Sequence, residues 1–223
     1  MVGPGAPLGA IRRSSLREDV AEALRAALIS GELQPGEVYS APALAESFGV
    51  SATPVREAML EMVREGMVET VRNKGFRVRR PNDAELDELV EVRLLLEVPV
   101  MGRVAASYDD AMAPVLAELR EIAARIEQAA KDGRLVDYIQ LDTEFHARFL
   151  GLHGNDTLVR TVRDLRARSR LYGLKHLAES GQLADTVREH SEMVDLAERG
   201  DAAAIEQVTT RHIGRVRGEW ASG

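Results

Sequence analysis

"LAESFGVSATPVREAMLEMVREGMVETVRNKGFRV" runs from Leu44 to Val78. Apolar residues recur at Val55, Met59, Met62 and Val63, a helical spacing, with Ser51 placed to cap the helix and Gly66 to end it. A shorter helix precedes it, Pro42 to Phe48, stopped by Gly49. Two short helices separated by "FGVS" form a helix–turn–helix candidate. Beyond Gly66 the period changes. Val68, Thr70 and Arg72 alternate, Asn73–Gly75 supply a turn, and Phe76 and Val78 follow, which reads as a β-hairpin. Together these elements predict a winged helix.

Upstream, Ser14–Ser30 carries apolar residues at Leu16, Val20, Ala23, Leu24, Ala27 and Leu28, another helix, ended by Gly31. The stretch "GELQPGE" that follows reads as a loop. Residues 1–13, rich in Gly and Pro, read as a flexible tail, residues 14–80 as the winged helix–turn–helix domain, and residues 81–223 as a second domain. Pro81–Asn82 is the linker. The second domain is helical to its end, with six helices at about 83–106, 109–131, 134–152, 156–180, 184–199 and 201–219. Pro99 should kink or split the first of them. The fold class is therefore mainly α: a winged helix with a small β-hairpin, then an all-α antiparallel bundle.

The whole chain has 223 residues, a net charge of −7 and no cysteine. Disulfides and thiolate metal sites are excluded. No apolar run approaches the ~20 residues of a membrane helix, and the N-terminus lacks a signal-peptide pattern, so a cytoplasmic protein with no membrane partner is expected. The charge is uneven. Residues 1–80 hold eleven Lys+Arg against ten Asp+Glu, and the remainder eighteen against twenty-six. Arg72–Arg80 carries five basic residues and no acid. Such asymmetry points to two domains with different partners. Ser51, Thr53 and Arg56 at the start of the second short helix, with Arg72, Lys74, Arg77 and Gly75 on the hairpin, have the chemistry for reading double-stranded DNA. Small hydroxyls permit close approach, Arg56 can bond guanine O6 and N7, and the hairpin cations can meet phosphate.

In the second domain, "LDTEFHARFL" (Leu141–Leu150) places Asp142 and His146 four residues apart on one helix face. His190 and His212 also sit mid-helix among apolar residues. One carboxylate and three imidazoles from three helices could surround a divalent ion: zinc first, with nickel or manganese also compatible. The alternatives are an ion pair from Asp142 to Arg148 or Arg188, and hydrogen-bonded core histidines. His153 and His176 fit no ligand pattern.

The stretch quoted first, with its "GVS-x-TPVREA" core followed by "EGMV" and "KGF-V", resembles the winged-helix domain of the GntR family of bacterial transcription regulators. That resemblance implies DNA contacts from Ser51, Thr53, Arg56 and Gly75. Ala52 stands where members usually carry arginine, and Ala43 where the fatty-acid-responsive members do. The helical half, through "ELVEVRLLLE", "LDTEFHARFLGLHGN", "REHSEMVDLAERGD" and "TRHI", resembles the C-terminal domain of the FadR subgroup (the FCD type), in its six-helix, vanillate-regulator-like form. It implies a metal on Asp142, His146, His190 and His212, a homodimer, and a small carboxylate effector near Arg93. Arg93 could equally pair with Glu97, four residues on. A metal-dependent hydrolase and a purely dimerising helical domain are the competing functions. Against the hydrolase, there is no His-Glu-x-x-His motif and no evident general base. Lys74→Ala is expected to weaken binding to all DNA sequences alike and to lower the salt slope by about 1, measured by titration at several salt concentrations.

Overall fold

The computed structural model describes residues 16–80, 82–170 and 183–220. The predicted tail, His176, Gly181, and the end of the helix expected to reach residue 180 lie outside the described residues.

Helix α1 (Leu16–Ser30) packs on α3 (Ala52–Arg64), and α2 (Ala41–Phe48) crosses α3. Ser40 caps α2 by accepting from the Ala43 N–H at 3.2 Å, and Gly49, at φ +66°, ends it. Ser51 occupies the N-cap position of α3 but its side chain makes no capping bond, contrary to expectation. Val55, Ala58, Met59 and Met62 form the fully buried side of α3. Strands β2 (Val68–Val71) and β3 (Gly75–Val78) form the hairpin, with Asn73 in the left-handed region at φ +59° in its turn.

A third strand was not anticipated. β1 (Val38–Tyr39) pairs antiparallel with β3, giving the order β1-β3-β2. Two residues after a Gly/Pro loop carry no alternation to detect, and only the pairing across the chain defines them. This strand also explains Gly75. At φ +131°, a Cβ there would collide with the Tyr39 carbonyl oxygen and come 3.0 Å from Ser40 Cα. The glycine is required by the fold itself, beside any need for space at DNA, and it opens β3 rather than forming the tip of the wing.

Arg79 and Asn82 tie the sheet to the bundle. The Glu85 carboxylate accepts from Arg79 Nη2 at 2.8 Å and from the Asn82 N–H at 3.0 Å, while Asn82 Oδ1 accepts from the Glu85 N–H at 2.9 Å, completing a capping box. Helix α4 (Asp83–Ala106) starts there and continues through Pro99 unsplit. The carbonyl that Pro99 leaves without its helical donor belongs to Leu95, on the solvent-facing side at 67% exposure, where water can satisfy it. After a 3₁₀ turn (Asp110–Met112) come α5 (Ala113–Lys131), α6 (Leu135–Gly151), α7 (Asp156–Arg170), α8 (Leu183–Glu198) and α9 (Ala202–Trp220). These are six α-helices among the described residues of this half. α4 packs on α9 and α7, α5 on α6 and α8, and α8 on α9. Gly102 lets α9 close on α4, because a Cβ would overlap the Glu206 side chain.

The two halves touch. α1 contacts α6, and Gly66 lies so close to α7 that a Cβ would be 3.2 Å from Arg168 Nε. Between them lies a cavity of about 270 Å³, bounded by Arg25, Glu65 and Met67 on one side and Val136, Ile139 and Ala167 on the other. Gly75→Ala is expected to destabilise the protein by more than about 1 kcal/mol, read as a lowered denaturation midpoint before any DNA is added.

Candidate metal centre and nucleic-acid interface

Helix α6 presents Asp142 and His146 inward, one turn apart. α8 presents His190 and α9 presents His212, all four with no solvent exposure. Their donor atoms lie within 4.8 Å of one another. Asp142 Oδ1 is 3.1 Å from His190 Nε2, 3.9 Å from His212 Nε2 and 4.0 Å from His146 Nε2, and the last two nitrogens are 3.2 Å apart. Ligand bonds of about 2.05 Å in a tetrahedron put donors about 3.3 Å apart, so the farthest donors would draw in by about 1.5 Å around such an ion.

The opposite ring nitrogens of His190 and His212 have acceptors beside them. His190 Nδ1 faces the Val187 carbonyl at 3.3 Å, His212 Nδ1 faces Glu189 Oε2 at 3.1 Å, and His146 Nδ1 faces Glu97 Oε2 at 3.7 Å. A proton on each Nδ1 satisfies or approaches an acceptor there. Three Nε2 lone pairs and a carboxylate oxygen are then aimed at one point. Four acceptors so placed would repel each other, and either a cation among them or a proton on His190 Nε2, donated to Asp142 Oδ1 at 3.1 Å, would remove the conflict. Burial, and next the Arg166 guanidinium, hold the His146 imidazole well below its ordinary pKa, so it is neutral, the form that ligates. Phe145 stands edge-on to His146 and His190, at ring separations of 5.2 and 4.8 Å, an apolar wall for the cluster.

Asp142 does pair with an arginine, but with neither one expected. Arg148 is exposed and bonds Glu144 and Glu118, both at 2.5 Å, and Arg188 bonds Asp185 at 3.0 Å on the surface. The partner is Arg166 of α7, whose Nη2 donates to Asp142 Oδ2 at 2.9 Å and whose Nη1 donates to Glu97 Oε2 at 2.5 Å. Asp142 thus turns Oδ1 to the imidazoles and Oδ2 to the guanidinium. Arg93 lies in the same buried cluster. Its Nε donates to Glu97 Oε1 at 2.7 Å and its Nη1 to Ser169 Oγ at 3.2 Å. The pairing with Glu97 and the interior placement hold together. Arg166, Ser169, Glu97 and Glu189 were missed as site residues. A signal existed for two of them: Val159, Val162, Arg166 and Ser169 fall on one face of α7, so an arginine and a serine stand where the pattern asks for core. His153 is exposed in the turn after α6.

In the winged part, Arg56, Lys74 and Gly75 line a groove of about 530 Å³ between the start of α2, α3 and the hairpin. Ser51 and Thr53 are exposed at the start of α3, and Arg72 is exposed at the hairpin turn. Arg77 is also exposed but bonds Glu69 across the hairpin at 2.8 Å. Ala43 is exposed on α2, and Ala52 is partly buried against the core.

Residues 16–78 match the family model "Bacterial regulatory proteins, gntR family", and residues 88–215 match that of the FCD domain. The chain belongs to the GntR family of transcription regulators, in its FCD-containing branch. It is therefore a DNA-binding regulator and not an enzyme, which disposes of the hydrolase reading. It is similar to an HTH-type transcriptional regulator in an unstable DNA locus of Streptomyces ambofaciens, 31% identical across 88% of this chain and 81% of the relative. It is also similar to the HTH-type transcriptional regulator McbR of Escherichia coli, 30% identical across 82% and 81%. The solved structure of E. coli McbR/YncC superposes with a TM-score of 0.71 at 24% identity, over 91% of this chain and 95% of that one. Lar of Listeria monocytogenes superposes at 0.61 and 18%, over 94% and 98%. These superpositions establish a shared fold. Among the described residues no helix is long and apolar enough to cross a membrane.

His190→Ala is expected to abolish stoichiometric zinc binding. The unaltered protein is expected to gain about 2.7 kcal/mol of stability at a hundredfold excess of zinc over Kd, and the variant none. Elemental analysis and thermal unfolding of protein made without a metal-affinity tag check both.

Proposed function

We propose that the protein is a metal-dependent, effector-responsive regulator. In this reading residues 14–80 recognise operator DNA, and residues 81–223 bind a divalent ion and a small organic acid and join two copies into a homodimer. The single observation behind it is the buried convergence of three Nε2 atoms and Asp142 Oδ1. Zinc suits that donor set best, with nickel or manganese compatible. The ion would supply a Lewis-acidic position for an anion, and the chain's own groups do the rest. Arg166 orients Asp142, Glu189 and Val187 orient His212 and His190, and Arg93 brings a guanidinium fork suited to a carboxylate.

On the DNA side, Arg56 at the groove between α3 and the wing would read a base edge. Ser51 and Thr53 would contact backbone or base beside it, and Lys74, Arg72 and Arg77 would meet phosphates. Arg77 must give up Glu69 to do so, and Gly75 serves by holding the wing's shape. Two recognition helices of a dimer would read half-sites about 34 Å apart.

Coupling between the ends has a physical route. α6 and α7 carry Asp142, His146, Arg166 and Ser169 on their inner faces. On their outer faces Val136, Ile139 and Ala167 meet the winged part across the shared cavity. A ligand that shifts either helix alters that seam, and DNA and ligand then change each other's affinity by the same factor.

Operator binding followed by fluorescence anisotropy tests the reading. Chelation or addition of an organic acid should move the binding curve, and an identical curve under all conditions would refute it. Arg56→Ala is expected to cost about 1–3 kcal/mol of operator affinity while leaving zinc content unchanged.

A further inference from the structure

The seam between the winged part and the bundle holds space that the candidate metal centre does not use. Its cavity of about 270 Å³ lies just under the range of about 300–1,000 Å³ typical of small-molecule sites, which favour places where domains meet. On α6 the lining residues Val136, Ile139, Gln140 and Thr143 follow one helical stripe. That stripe excludes Asp142 and His146, and none of the four candidate metal ligands borders the cavity.

The lining has an apolar part and a charged part that sums to zero. Met67, Val136, Ile139 and Ala167 supply the apolar surface. Four ionised side chains complete it, two of each sign, and each has its partner. Arg25 donates to both oxygens of Glu65, at 2.8 and 3.1 Å, and Arg163 donates to Glu144 at 3.1 Å. A charged ligand would either break one of these pairs or lose its hydration beside charges already answered, and both are costly. Two neutral polar groups remain for a ligand. The Gln140 amide and the Thr143 hydroxyl border the cavity and make no side-chain hydrogen bond among the described residues. Three residues apart on one helix, they are neighbours, and each can both donate and accept.

We propose that the seam is a second ligand site, built for a small uncharged molecule with an apolar body and one amide or hydroxyl group. The apolar body packs on Met67, Val136, Ile139 and Ala167, and the polar group bonds Gln140 and Thr143. A ligand held there touches the winged part and the bundle at once. The site needs no metal, so it stands or falls apart from the metal reading above.

The test is a titration, followed by nuclear magnetic resonance, of the full chain isotope-labelled at its methionine methyl groups. The probes are benzamide, benzoate and benzamidine, which share one shape and are neutral, negative and positive. The Met67 methyl resonance, assigned by its loss in Met67→Leu, reports on the cavity. Benzamide is expected to shift it saturably, with a Kd about tenfold or more below that of either charged probe, and to do so equally with and without zinc. Gln140→Leu combined with Thr143→Val, which removes the polar groups at similar volume, should raise the benzamide Kd about fivefold. No saturable shift of Met67 by about 20 mM benzamide overturns the proposal. A charged probe that binds as tightly as benzamide overturns the uncharged class. Undiminished affinity in the double variant removes Gln140 and Thr143 from the site. If that variant does not fold, the three probes on the unaltered protein still decide the matter.

Discussion

Asp142 has no contact with solvent, yet it meets three imidazoles through one oxygen and a guanidinium through the other. A carboxylate in that position survives only because every side of it is answered. Five helices contribute to the answer: α6 with Asp142 and His146, α8 with His190 and Glu189, α9 with His212, α7 with Arg166 and Ser169, and α4 with Arg93 and Glu97. Removing a single member would strand a charge or an unpaired polar atom in a medium that cannot screen it. The bundle is therefore tied together at its centre by polar chemistry as much as by its apolar core.

The same helices also meet the winged part. α6 and α7 are each read from two sides: the ligand cluster touches one face and the winged part the other. Around Gly66 the approach to Arg168 leaves little slack. Arg25 and Glu65, bonded at 2.8 Å, form the wall of the seam on the winged side. Burial raises the Glu65 carboxyl above its ordinary pKa despite that partner, a sign that the seam is already partly dry. At the linker, Glu85 joins Arg79 to the capping box of α4, so the helix carrying Arg93 and Glu97 begins at a fixed point relative to the sheet.

Much of this was legible in the chain. The hairpin, the three helices before it and the six after it follow from apolar period and glycine punctuation, and their described ends fall within a few residues of expectation, the end expected at residue 180 lying outside the described residues. The four candidate ligands were legible too, Asp142 and His146 from spacing and the other two chiefly from family resemblance. Strand β1 was not legible, because two residues carry no period and exist as a strand only through Phe76 and Arg77. The true need for Gly75 was hidden for the same reason.

Local periodicity belongs to the sequence, since which side chains share a helix face is set by neighbours three and four residues apart. It therefore determined the winged helix, the bundle, the pairing of Asp142 with His146 and the exposed place of Arg56 and Lys74. Only the tertiary structure decided that Arg166, not Arg148 or Arg188, holds Asp142, that Glu97 stands between two arginines, and that Glu189 orients His212. Arg166 and Asp142, Glu97 and Arg166, and Glu189 and His212 are 24, 69 and 23 positions apart, and no local rule reaches that far. They follow from how five helices cross and from the demand that each buried charge find a partner there.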